Sequence, residues 1–112
     1  MVFLDEFAAS RPEDVVRRGN EWFVDANAGP DVVEEATRRG VKVLGLEGFL
    51  IGEAGTFPAL SRIADFSHDP IAVANRKAID LLRGEWAAPP TAADQMHGDA
   101  AGRYMIAIVL DG

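Results

Sequence analysis

The chain has 112 residues, carries 18 acidic against 11 basic side chains for a formal charge of −7, and contains no cysteine. That length is one domain's worth and can bury a core without staples, while the missing thiols exclude a disulfide framework and a thiolate metal site. The charge opposes nucleic-acid phosphates and anionic lipid, and no apolar run is long enough to span a bilayer.

These bounds predict a cytoplasmic protein with no nucleic-acid and no membrane partner. Small secreted domains more often carry disulfides, and the N-terminal MVFLDEF has acids where a signal peptide would be positive. An acidic surface suits a basic protein partner through electrostatic steering, although charge of this size also serves solubility alone.

In chain order, Phe3, Leu4, Phe7 and Ala8 lie at helical spacing and predict a short helix. Ser10 and Glu13 have the spacing of a capping box, Pro12 suits a first turn, and Arg17 and Arg18 precede a stop at Gly19. Residues 12–18 are therefore expected to be helical. Trp22, Phe23 and Val24 predict a short strand, and residues 26–30 are turn material. Residues 31–39 repeat the helix grammar, with Asp31 as cap, Glu34 and Glu35 in the first turn, and Arg38 and Arg39 before Gly40. The likeness of DVVRRG to DVVEEATRRG reads as two helices obeying the same end rules, not as an internal repeat.

The densest apolar stretch spans residues 41–51 and predicts an interior strand, apolar on both faces. Glu47 shares the parity of Val43 and Phe49, so an unbroken strand would bury its carboxylate and raise its pKa. A bulge at Gly45 or Gly48 would instead turn it outward. Residues 52–55, GEAG, fit a hairpin connection. Residues 58–66 suit either of two elements, and the strand over 61–66 is the one expected, with Pro58 favouring an edge or loop; a helix capped by Thr56 is the alternative. Asp69 and Pro70 have the signature of an N-cap and first helical residue. The helix they open shows Ile71, Ala74, Ala78, Ile79 and Leu82 on one face and ends at Gly84, with Trp86 clamping its exit. Residues 87–102 form a long connection with a short helical turn near Thr91 and Asp94, and residues 103–110 a central strand beside the 41–51 stretch. The expected fold is α+β (or α/β): one compact domain, a mixed sheet of about four strands and three helices packed on it.

The polar side chains able to carry chemistry are Glu47, Asp65, Ser67, His68, Asp69, His97 and Asp99. Two carboxylates can divide acid and base work when their environments differ. Pairing around the GEAG turn, however, is expected to set Glu47 opposite residues 56–60, away from Asp65. His68-Asp69 and His97-Gly98-Asp99 lack a recognised metal spacing, so no metal and no cofactor are expected. Ser67, His68 and Asp69 are the residue types of a hydrolase triad, but as consecutive residues they do not converge. The paired arginines follow acids on their own segments and do not make a nucleic-acid patch.

With GLEGF (45–49) and IADFS (63–67), the chain resembles small bacterial proteins of poorly defined function, some of them immunity or antitoxin proteins encoded beside toxins. The resemblance covers residues 41–67 and transfers no catalytic residue. Small size, acidic balance, the missing catalytic motif and this resemblance together point to a non-catalytic inhibitor that masks a basic partner, with acids on exposed elements, Glu34, Glu35, Glu53, Asp65 and Asp69, as its contacts. The alternative is a small enzyme or ligand-binding domain using Glu47, Asp65 and His97 in a pocket covered by the 87–102 loop. A structural subunit that forms homo-oligomers is the third reading.

Overall fold

The computed structural model of the chain describes residues 2–89 and 102–111. The helices are α1 (Val2–Ser10), α2 (Gly29–Arg38) and α3 (Ile71–Arg83), with short 3-10 turns at Pro12–Asp14 and Glu85–Ala87. The strands are β1 (Val15–Arg18), β2 (Glu21–Asp25), β3 (Val43–Gly52), β4 (Gly55–Asp65) and β5 (Arg103–Leu110). Among the described residues these form a five-stranded sheet in the order β1-β2-β5-β3-β4. Every neighbouring pair is antiparallel. The fold is therefore α+β; the expected mixed sheet of about four strands and the α/β option are corrected. Hairpins join β1 to β2 and β3 to β4, and such short connections permit antiparallel pairing only.

The other local correction is at residues 12–18, which form a 3-10 turn followed by β1 instead of a helix. Gly19 at φ 62° and Asn20 make the two-residue connection of a hairpin, with glycine in the positive-φ position that such a turn needs. Val15 and Val16 then pair with Val24 and Phe23. Arg17 lies across from Trp22 with its guanidinium over the ring at 5.2 Å, instead of serving a helix dipole. Ser10 belongs to the end of α1, where its hydroxyl donates to the Phe7 carbonyl at 3.0 Å. Asp31 and Asp69 do not cap helices. Helix α2 begins two residues before Asp31, and Pro70 precedes α3 in extended conformation.

All three helices contribute to the core on one sheet face. Val32, Val33, Ala74, Ala78 and Leu82 meet Val24, Leu46, Leu50, Ile106 and Ile108 there, and Trp86 closes the end of α3 at 3% exposure. Gly29 allows the close approach of α2 to α3: a Cβ there would lie 3.1 Å from the Leu82 methyls. Asn75 ties α3 to the sheet by accepting the Val43 N–H at 2.8 Å and donating to the Val41 carbonyl and Thr37 hydroxyl, each at 3.0 Å.

Among the described residues no helix lies on the opposite face. Phe23, Ile51, Met105 and Ala107 make a second small core there with Val16 and Phe49. The β1–β2 hairpin curls over this half of the face, and Arg18 reaches across to donate to the Gly52 carbonyl at 3.2 Å. Phe23 and Phe49 meet edge to face at 5.1 Å. The curl stops short of the far half, which no described element covers.

Candidate functional site

The uncovered half is built from β3, β4 and the end of β5. Leu44 is an extra residue of β3 against β5, between Val43 opposite Leu110 and Gly45 opposite Val109. That bulge reverses the parity of everything after it. Val43 therefore points to the helices while Glu47 points to the opposite face with Phe49 and Ile51. Glu47 is half-buried, neither sunk in the core nor fully free.

A second irregularity brings the two predicted carboxylates together. Glu47 is paired with Ile63 and Gly45 with Asp65, whereas Phe49 is paired with Pro58. Gly48 alone thus faces the β4 stretch from Ala59 to Arg62. The expected placement of Glu47 opposite residues 56–60 is corrected, because this excursion of β4 shifts the register after the turn. Glu47 and Asp65 become diagonal neighbours on one face, a relation that leaves long side chains within reach of each other. They line an open cleft of about 390 Å³ with Gly45, Ile63, Ser67 and Val109. Gly45 is the floor: a Cβ on it would come within 2.8 Å of the Ala64 carbonyl oxygen, so only glycine lets β4 lie this close.

The cleft is acidic and apolar at once. Ile63 is 61% exposed and Val109 45% exposed, both among the large hydrophobic side chains left in solvent. Asp65 accepts the Ser67 N–H at 2.8 Å. The Ser67 side chain and amide hold the Asp65 carboxyl below the usual aspartate range, with smaller help from His68 and Lys42. Lys42 itself donates to the Ser67 carbonyl at 2.8 Å and stays out of ion-pair range of Asp65. Among the described residues no cation is ion-paired to Glu47, Glu53 or Asp65.

Three of the other predicted contact acids are engaged elsewhere. Glu34 pairs with Arg83, Glu35 with Arg38 at 2.7 Å, and Asp69 with Lys77 at 3.1 Å. Glu34 and Glu35 stand on α2, which packs on the helix-covered face, and Glu53 lies in the β3–β4 turn, so neither α2 acid nor Glu53 lines the cleft of Glu47 and Asp65. His97, Asp99 and the predicted turn near Asp94 lie outside the described residues, as does most of the 87–102 loop. No group of three or more His, Cys, Asp or Glu side chains is placed to hold a metal ion among the described residues. No helix among them is long and apolar enough to cross a membrane.

A second cavity of about 380 Å³ lies between α1 and α2, lined by Phe3, Phe7 and several charges. Its acids and bases neutralise one another: Arg39 meets Glu6 at 2.7 Å and Arg11 meets Asp31 at 2.6 Å. Arg39 and Arg11 also cover the Phe3 and Phe7 rings. This groove clasps two helices and leaves no unmatched charge for a ligand, so the cleft on the bare sheet face is the better site. Sequence reasoning missed Ile63 and Val109 as site residues. The available signal was their odd-numbered parity beside Asp65 and Met105, which becomes a surface only once the register is known. No protein-family model, curated protein or solved structure matches the chain.

Proposed function

We propose that the protein is a non-catalytic binding protein that docks a basic protein partner on the sheet face opposite its described helices, in the manner of an immunity or antitoxin-type inhibitor. One observation carries the reading: Ile63, 61% exposed, stands beside two carboxylates that no described cation pairs. An apolar centre rimmed by charge is the usual anatomy of an interface, and the sign of the rim selects the partner. The hydrogen bonds from Ser67 that lower the Asp65 pKa favour its charged form. The formal charge of −7 adds long-range steering toward a positive partner.

The enzyme reading has one observation in its favour, the shared cleft of Glu47 and Asp65. A carboxylate pair working as acid and base needs one member raised toward neutrality. Asp65, with its lowered pKa, is not that member, and the cleft stands open to water beside the largely exposed Ile63. Binding is therefore the better-supported function.

A lysine-rich peptide tests the proposal by titration calorimetry at low salt. Replacing both cleft acids (Glu47→Gln with Asp65→Asn) is expected to weaken binding roughly tenfold, since each exposed pair contributes up to about 1 kcal/mol. The control Glu34→Gln with Glu35→Gln leaves affinity within about twofold by the same reasoning. Equal losses in the two variants, or a larger loss in the control, reject the site.

A further inference from the structure

We infer that the basic partner is held as an added β-strand on the outer edge of β4, along residues 61–65. This rests on the basic-partner reading above and specifies its geometry. Strand β4 is an edge of the sheet. The Phe66 N–H donates inward to the Leu44 carbonyl at 2.8 Å, and the Ala64 carbonyl faces Gly45. Backbone groups alternate sides along a strand, so the N–H and C=O of Ile63 and Asp65 point outward, away from β3. No other described element meets them.

An edge of this kind is normally blunted. The first part of β4 is blunted by Pro58, which has no N–H to offer. The opposite edge, β1, is four residues long and ends in Arg17 and Arg18. Past the 59–62 excursion, the edge from Ile63 to Asp65 has neither device. It also adjoins the acidic cleft, so a strand laid along it places every second side chain on the face of Ile63, Asp65 and Glu47. A partner of the β-addition type takes its affinity from main-chain bonds and its specificity from alternate side chains. The chemistry that fits is an extended segment with lysine or arginine beside Asp65 and Glu47 and an apolar side chain against Ile63. A second copy of this chain fits worse, because pairing two such edges would bring acidic faces together.

The experiment uses a short peptide with lysine at alternate positions and two versions N-methylated at alternate amides, one version for each parity. Methylation at the amides that face β4 is expected to weaken binding roughly tenfold or more, because several main-chain bonds of about 1 kcal/mol each are lost. The other parity retains the parent affinity, and hydrogen exchange at Ile63 and Asp65 slows on binding. On the protein side, Ile63→Pro removes an edge donor and Ile63→Ala does not, so the proline variant binds more weakly than the alanine one. If Ile63→Pro fails to fold, the methylated pair still decides. Equal binding by both methylated versions overturns the added strand while leaving the basic-partner reading intact. Absence of binding by any lysine peptide overturns both. A peptide-free dimer in sedimentation with the Ile63 and Asp65 amides already protected assigns the edge to a second copy and overturns the inference.

Discussion

Asn75 joins helix α3 to the start of β3 from inside the core. It is 2% exposed and satisfies the Val43 N–H, the Val41 carbonyl and the Thr37 hydroxyl. Asn75→Ala leaves the buried Val43 N–H, and the part-buried Val41 carbonyl and Thr37 hydroxyl, without that partner, so urea unfolding should show a loss of roughly 3 kcal/mol. A loss below about 1 kcal/mol would mean that water replaces the amide and that the joint is not needed. Gly48 is constrained in a different way. A Cβ there would sit 2.6 Å from the Arg62 Cβ, where no flexible chain end can yield. Gly48→Ala is expected to cost about 2 kcal/mol through forced movement of β4. At Asp65 the folded state lowers the pKa, chiefly through the Ser67 side chain. Its contribution to stability is therefore present above the unfolded aspartate value and is lost as pH falls through the folded one. An NMR titration should place Asp65 below a solvated aspartate, and Ser67→Ala should move it upward; an unmoved midpoint would contradict the role given to Ser67.

At the scale of elements, the same letters fold in two ways. Asp14-Val15-Val16 leads into a strand, and Asp31-Val32-Val33 lies in a helix. Both segments end in Arg-Arg-Gly, so end rules alone predicted two helices. The decisive difference lies outside the segment: Gly19-Asn20 makes a hairpin turn, and Trp22-Phe23-Val24 offers a ladder partner immediately after it. Turn chemistry and tertiary pairing outweighed local capping. Strands β3 and β5 and helix α3 were legible because their apolar periodicity is long and matches one template each. The cleft was half legible. Glu47 and Asp65 could be named from the sequence, but their meeting depends on Gly48 facing 59–62, and no residue pattern announces that excursion. Helix α1 shows which force holds a small element. Phe3 and Leu4 are 4% and 8% exposed, while the Arg39–Glu6 pair lies in solvent. Phe3→Ala should cost about 3 kcal/mol, and Glu6→Gln less than about 1 kcal/mol. Comparable losses in chemical denaturation would mean that charge, not burial, docks α1.

Across the whole molecule, the sheet uses its two faces unequally. Among the described residues, one is covered by three helices; the other is half closed by the curled β1–β2 hairpin and half left open. The open half is where the chain places Ile63 and Val109 beside Glu47 and Asp65. Composition could predict an acidic surface in general, yet it pointed equally at the α2 acids, which the fold has already paired with arginines. The most direct test is an amide shift map of the protein titrated with the lysine peptide. Perturbations should cluster on Gly45, Glu47, Ile63, Asp65 and Val109 and fade as salt is raised. A cluster on α1 and α2, or shifts spread evenly over all acidic segments, would contradict the assignment of the bare sheet face as the docking site.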